Sequence, residues 1–200
     1  MTENKVTFGL ENVHVAPIQS SSEAGVITYG PVFRFPGAME LTLDPKGDSG
    51  SVKADNIDYY FINSNEGYEG KFKVPHIIEA FATKILGDIK DPTTGVVTEK
   101  ADAKTTNFAL MFEFAGDANK TRHIMYYCSA SRPSSGSATK NGTNVNEREL
   151  SFNASPRPGD QVVKRSITSA DDQEVYKKWF EKVYEPNQTI SYKLLDHPLM

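Results

Sequence analysis

Four histidines, one cysteine and a small group of carboxylates are the residues through which this chain could do chemistry. His14, His76, His123 and His197 stand apart. None has a second His, a Cys or a carboxylate at a metal-ligand spacing, so no metal centre is expected. Asp55, Asp58 and Glu69 would approach one another if the segment around them folds as one hairpin. Paired carboxylates can run acid–base hydrolysis, but polar hairpin faces carry carboxylates routinely. Serines are abundant, yet no Gly-x-Ser-x-Gly elbow occurs. No Gly-rich phosphate loop follows a strand, and no basic, aromatic-interleaved stripe suggests a nucleic-acid groove. The residues therefore imply no catalytic site, no metal and no cofactor, and they direct attention to binding or structural roles.

Composition narrows the field further. Two hundred residues make one ordinary domain, and eleven Phe with nine Tyr suffice for one core. The net charge is −4. Residues 1–100 hold nine Lys/Arg against fourteen Asp/Glu, and residues 101–200 hold thirteen against twelve. An acidic chain has little electrostatic reason to grip DNA, because duplex binding neutralises phosphates with Lys and Arg. Cys128 is alone, which rules out an intrachain disulfide. Its strand-like setting reads as a small buried hydrophobe. The polar N-terminus lacks an apolar signal-peptide core, and no run is long enough to span a bilayer, so a soluble protein folded in a cytoplasm is expected.

The elements that must position these residues are mostly strands. Met39, Leu41 and Leu43 share one strand face. Asp44-Pro45-Lys46-Gly47-Asp48 predicts a turn. Val52–Ile62 then reads as one long strand, reversed at 63–67 and answered by a strand with Tyr68, Gly70, Phe72 and Val74 on one face and Glu69, Lys71 and Lys73 on the other. Gly70 inside that strand implies a bulge or a close backbone approach. Pro75 starts a predicted helix to about residue 86, with Phe81 and Ile85 on its apolar side and Gly87 as its stop. Phe108, Leu110, Phe112 and Phe114 alternate strictly and mark a buried strand, with Arg122–Ala130 returning beside it. Residues 131–144 have no periodicity and read as a long loop. A second helix is expected over about 170–184, capped by Ser169 with Asp172 at the third position. Its apolar side holds Val175, Tyr176, Trp179, Phe180 and Val183. Residues 187–200 leave as a tail, with Ile190, Tyr192 and Leu194-Leu195 as docking candidates. The expected fold is mainly β (α+β). It is a β-sandwich or partly open barrel of about eight strands, with one flanking helix and one C-terminal helix. It forms a single domain over 1–200 with an N-terminal arm (1–20), the long loop and the tail.

An ordered series of short blocks adds a resemblance. Lys5-Val6-Thr7-Phe8-Gly9-Leu10-Glu11-Asn12-Val13-His14 comes first, then Phe35-Pro36-Gly37-Ala38-Met39-Glu40-Leu41. Ala54-Asp55-Asn56, Tyr59-Tyr60 and Gly67-Tyr68-Glu69-Gly70 form the most specific part. Glu99-Lys100-Ala101-Asp102, Phe112-Glu113-Phe114-Ala115-Gly116-Asp117, Arg122-His123 and Ser131-Arg132-Pro133 follow in order. From about Lys5 to Arg165 the chain resembles the major tail proteins, the tail-tube subunits, of long-tailed siphophages of the phi-thirteen type.

The resemblance implies a tail-tube-like fold and a non-enzymatic virion protein. Such subunits form rings, typically hexamers, that stack into a hollow tube. The tube encloses the tape-measure protein and meets the tail terminator and the distal tail or baseplate proteins. DNA transits the lumen without specific binding. Assembly would take place in the host bacterial cytoplasm, with no membrane partner. An acidic lining would repel phosphates over roughly 8 Å at physiological salt. Glu40, Asp55, Asp58 and Glu69 are the candidate lumen-facing acids. Phe8, Asp44, Lys46, Asp48, Arg132 and Lys140, on the N-terminal arm, loop 44–51 and tract 131–144, are candidates for ring stacking. Other readings are a virion receptor-binding or adhesin β-domain, a small-ligand β-barrel of the lipocalin kind, and a hydrolase using the hairpin carboxylates.

Overall fold

Strict alternation of large apolar residues over 108–114 calls for a strand with at least one dry face, and the fold is built around it. The computed structural model describes residues 9–21, 26–54, 56–134, 136 and 146–186. Its strands are β1 (Leu10–Ser21), β2 (Ile27–Tyr29), β3 (Phe33–Arg34), β4 (Glu40–Lys46), β5 (Ser49–Ala54), β6 (Ile57–Asn63) and β7 (Gly67–Val74). Helix α1 (Glu79–Lys84) precedes β8 (Ile89–Lys90), β9 (Val97–Thr98), β10 (Phe108–Phe114), β11 (Arg122–Ala130), β12 (Arg148–Ala154) and β13 (Lys164–Ile167), and α2 (Gln173–Lys178) comes last.

Nine strands form one sheet in the order β2-β1-β10-β11-β12-β7-β4, with β3 also on β1 and β13 also on β11. All the pairings are antiparallel. The sheet coils strongly. Phe35, just beyond β3, meets Phe72 of β7 at 5.2 Å, although β1, β10, β11 and β12 lie between them in the strand order. Phe81 of α1 fills the space enclosed, touching Phe35 at 5.3 Å and Phe108 at 5.6 Å. Among the described residues the result is mainly β, a coiled sheet with two short helices and no closure into a barrel.

The strap 35–39 crosses this open seam. Its two ends are fixed by hydrogen bonds from Phe35 N–H to Val13 C=O (2.7 Å) and from Met39 N–H to Lys73 C=O (3.0 Å). Gly37 makes the crossing possible with φ +81°, a conformation that a side chain would strain.

Both faces of β10 are buried, so its smaller residues matter as much as its phenylalanines. Phe108, Leu110 and Phe112 enter the core lined by α1, β7 and β12. Ala109 and Met111 enter a second core with Ile124, Tyr126, Trp179 and Val183. The second core is the reason for α2: a sheet face of this length must be covered.

The helices are shorter than the sequence pattern predicts. The expected start at Pro75 moves to Glu79, because Ile78 stays extended (φ −69°, ψ 147°) with no side-chain cap. His76, Ile77 and Ile78 supply none of the oxygen caps that begin helices well. The apolar stripe survives, with Ile77, Phe81, Ile85 and Leu86 all buried. The expected cap of α2 also moves, from Ser169 to Asp172, which accepts from the N–H groups of Glu174 and Val175. Thr168 and Asp171 instead bond each other at 2.7 Å. A carboxylate two to three residues before free amides outcompetes a more distant hydroxyl.

The largest correction concerns 52–74. Val52–Ile62 is not one strand facing 68–74. β5 and β6 pair with each other, with Ala54 opposite Ile57. Asn56, just before β6, sits at φ 64°. β7 pairs with β4 and β12 instead. The turn expected at 44–48 is also displaced, because β4 runs through Pro45 to Lys46. Proline is tolerated there because β4 is an edge strand. Consequently β4–β5 and β6–β7 are the two arms of one hairpin, pinched at Asp48 and Ser64. Ser64 N–H donates to Asp48 C=O (2.9 Å) and Asp48 N–H to Ser64 Oγ (2.8 Å). The β5–β6 part continues about 20 Å beyond the sheet at ordinary strand rise.

Candidate assembly surfaces

The outward face of the β4–β7–β12 wing is a grid of polar side chains in register. Glu40, Lys73 and Glu149 form one row, Thr42, Lys71 and Ser151 the next, and Asp44, Glu69 and Asn153 the third. Successive residues on a strand point to opposite faces, so Leu41, Phe72 and Leu150 take the inner side of the same strands. Lys73 Nζ meets Glu40 Oε2 at 2.7 Å, and that hydrogen bond holds the Glu40 carboxyl below the usual range. Lys71 Nζ lies 4.0 Å from Glu149. Asp44 and Glu69 are directly opposite with no lysine between them in the register, and Lys46 Nζ reaches Asn153 at 3.4 Å beside them.

This geometry redistributes the residues singled out from the sequence. Glu40 and Glu69 share the exposed face. Asp44 and Lys46, candidates for a different surface, share it as well. Asp48 is at the pinch of the long hairpin and clasps Ser64 through its backbone. Asp58 is paired with Lys53 in the β5–β6 ribbon. The one-hairpin arrangement that would have gathered Asp58 beside Glu69 is therefore absent, because β6 does not pair with β7. Asp55, Phe8 and Lys140 lie outside the described residues. Arg132 is spoken for within the chain. It contacts Asp88 at 2.8 Å and Glu99 at 3.1 Å, and donates to Leu86 C=O at 2.9 Å. It thereby ties the end of α1 to the β8–β9 hairpin.

Two apolar exposures lie outside the polar grid. Ile57 and Tyr60 of the ribbon are 62% and 63% exposed. Ile89 of β8 and Val97 of β9, with Val96 just before β9, form the second. The latter hairpin is held rigidly at its base by Arg132 and by a Lys90–Glu79 pair at 2.8 Å. The missed signal for the ribbon was Asn56, a residue type that tolerates the positive φ it adopts there.

The opposite side of the molecule is a set of charged clamps. Arg122 pairs with Glu113 at 3.2 Å, lies over the rings of Tyr176 (3.9 Å) and Phe180 (4.8 Å), and bonds the Tyr176 carbonyl. Glu113, nearly buried, also accepts from Asn12. Arg157, equally buried, grips Asp160 and Glu185 and lies over Tyr126 at 4.4 Å. Its hydrogen bond holds the Asp160 carboxyl below the usual range. Burial raises Tyr29 to about 12 and pushes the Cys128 thiol well above its ordinary value. His14 stacks on Phe180 at 4.7 Å and His123 on Phe112 at 5.2 Å, and burial lowers both imidazoles. Arg122, Arg157 and His14 thereby hold α2 and the C-terminal turn to the sheet. Among the described residues no group of three or more His, Cys, Asp or Glu could hold a metal ion.

No family model matches the chain, and no curated protein does. Solved structures with a related course of the chain exist. One is the tube-terminating cap of the anti-feeding prophage, with 7% identity, a TM-score of 0.47, and 84% of this chain and 96% of that one covered. Another is the sheath/tube terminator of the PVC extracellular contractile injection system, with 10% identity, a TM-score of 0.48 and 82% and 99% covered. A chain of the PVC sheath–tube complex matches with 8% identity, a TM-score of 0.45 and 82% and 94% covered. Overlap of this degree leaves the function to be argued from the residues.

Proposed function

We propose that this chain is a structural subunit of a phage tail tube, assembling with copies of itself into rings that stack around a lumen. The observation that carries the reading is the unclosed sheet. β4 ends the sheet with one side unpartnered among the described residues, and the wing it belongs to exposes an ordered polar face. Exposed sheet edges invite association, and closing strands around a ring satisfies them with a neighbour's strands. Head-to-tail contacts that close make rings, and ring-on-ring contact extends a filament. The ordered blocks resembling siphophage tube subunits support the same reading, and they include the strap 35–39 and the β7 strand.

In this reading the polar grid faces the lumen, with Glu40 and Glu69 on it, together with Asp44 of the stacking set. Asp58 belongs to the ribbon, which projects beyond the ring plane with Asp48 at its root, and Asp55 stays a lumen candidate from the sequence alone. Six subunits are the expected ring. The lumen would house the tape-measure protein and later pass DNA, and the ends would meet the tail terminator and the distal tail or baseplate proteins. Phe8, Arg132 and Lys140 remain candidates at ring-to-ring contacts, Arg132 acting through the β8–β9 hairpin it holds. A lipocalin-like role is disfavoured by the packed interior, where Phe35, Phe72, Phe81 and Phe108 occupy the space inside the coil. The test is negative-stain electron microscopy of the purified full chain at rising concentration, with and without replacement of 48–64 by a short turn. Rings or tubes from the intact chain alone are expected. Persistent monomer at every concentration, or rings that form equally well without the ribbon, overturns it.

A further inference from the structure

β4 ends the sheet, and among the described residues its backbone pairs with β7 on one side and with no strand on the other. Its seven residues, Glu40–Lys46, differ across the sheet. Glu40, Thr42, Asp44 and Lys46 take the outward face, and Leu41, Leu43 and Pro45 take the inward one. Leu41 and Leu43 are only half-buried, and Met39 just before them is 47% exposed. An edge of this kind is a template for one more strand. The strand is complementary to its own reverse. Two copies running antiparallel about Leu43 set Glu40 opposite Lys46 of the second copy and Thr42 opposite its Asp44. On the inward face the same register sets Leu41 opposite Pro45 and Leu43 opposite Leu43. Each outward pair then occurs twice.

Neighbouring registers lack this match. Sliding by two residues puts Glu40 opposite Asp44 in one direction and Asp44 opposite Asp44 in the other, and like charges directly opposite repel. Sliding by one residue turns the charged face of one copy to the side where the other carries its leucines. The paired groups also have capacity to spare. Lys73 takes Oε2 of Glu40 at 2.7 Å, while Oε1 accepts only a long 3.4 Å contact from Thr42. Lys46 Nζ reaches Asn153 at 3.4 Å, which leaves its other protons for a carboxylate. We propose that β4 is a two-fold docking edge for a second copy of this chain, with Leu43 on the axis and two Glu40–Lys46 pairs setting the register. Asp44 meets Asp44 of the second copy across the diagonal at about 7–8 Å, which makes the pair weak and concentration-dependent. The contact is isologous and stops at two copies. It does not rest on the tube reading. A ring needs the same edge for a different strand, so the pair and the ring exclude each other.

Cross-linking of the full chain tests it, because Cys128 is buried and an introduced cysteine is the reactive thiol. Across the axis residue 43 lies about 4.5–5.5 Å from its own copy, within disulfide reach. Residue 46 lies about 20 Å from its own copy at ordinary strand rise. Under mild oxidation L43C is expected to form a covalent dimer at least about tenfold faster than K46C, and a mixture of E40C with K46C should form the mixed dimer. Equal rates for L43C and K46C overturn the proposal. If L43C does not fold, the mixture decides. Sedimentation at rising concentration gives the second reading: E40K and K46E should each weaken the dimer about tenfold, and the double variant should restore it. A double variant as weak as either single one overturns the register. Rings without the L43C cross-link support the tube reading and overturn the pair. A cross-linked dimer with no ring at any concentration overturns the tube reading and leaves the pair standing.

Discussion

The sheet treats its middle and one of its ends differently. Around β10 and β11 both faces are dry: Phe112 and Met125 enter one core while Met111, Ile124 and Tyr126 enter the other. In the β4–β7–β12 wing only the inner face is dry, and the outer face is a register of Glu40, Lys73, Glu149, Asp44 and Glu69. The first region has spent its apolar residues within the chain and closes its charges in pairs under α2. The second leaves an edge, a charged face and a ribbon with exposed Ile57 and Tyr60. The difference separates what folds the chain from what is available to other chains. A substitution should therefore disturb folding in one region and association in the other.

Arg122→Ala strikes the first region hardest. It leaves Glu113 nearly buried without its cation and removes the guanidinium from beneath Tyr176 and Phe180. A loss of about 3–5 kcal/mol is expected, read as a fall in urea midpoint together with release of α2. Gly70→Val tests the dry inner face of the wing, where β7 meets β12. The ring of Phe152 lies where a Cβ would sit, with Cζ 2.2 Å away, so overpacking should cost about 1–3 kcal/mol.

A smaller effect comes from acid. Burial holds His14 and His123 below 6.5 in the folded state. The native chain then binds fewer protons than the unfolded chain between the lowered values and 6.5. Stability is full above 6.5 and declines as pH falls through that window. Thermal melts between neutral and mildly acidic pH should show the decline, and H14F with H123F should flatten it. Asp160 acts in a separate window: its lowered carboxyl stabilises above 3.8 and that contribution is lost only in stronger acid.

The smallest effect on folding belongs to the second region. Ile57→Asp with Tyr60→Asp should leave the melting temperature unmoved, since exposed substitutions stay within about 0.5 kcal/mol, yet abolish rings by electron microscopy. A large loss of stability would mean the ribbon belongs to the body. Lys73→Ala, which breaks an exposed pair with Glu40, should leave the melt unchanged.

Much of this division was legible in the residues. The period-two run 108–114 identified the central strand, and the apolar stripes of both helices landed on Phe81, Ile85, Trp179 and Val183 as expected. Gly70 does permit a close approach, by Phe152, and no bulge interrupts the β7 register. What periodicity could not supply was the partner of each strand. Val52–Ile62 alternates well enough to pass for one strand, because the short reversal between Ala54 and Ile57 hardly interrupts it. Once that turn is missed, the carboxylates on either side are assigned to the wrong neighbours. Pro45 misled in the other direction, since proline signals a turn unless the strand is at an edge, and edges are a property of the whole sheet. The second core was hidden because Ala109 and Met111 look modest beside four alternating aromatic and aliphatic residues.

Cys128 lies at 0% exposure between β10 and β12, its thiol held protonated by burial. A chain whose only native sulfhydryl is sealed offers a silent chemical background. A cysteine introduced at Ile57, Thr42 or Val97 would be the single site open to a maleimide or a bifunctional linker. Each surface could then be labelled in turn, and the pattern of covalent dimers would chart which patch meets which in the native sequence context.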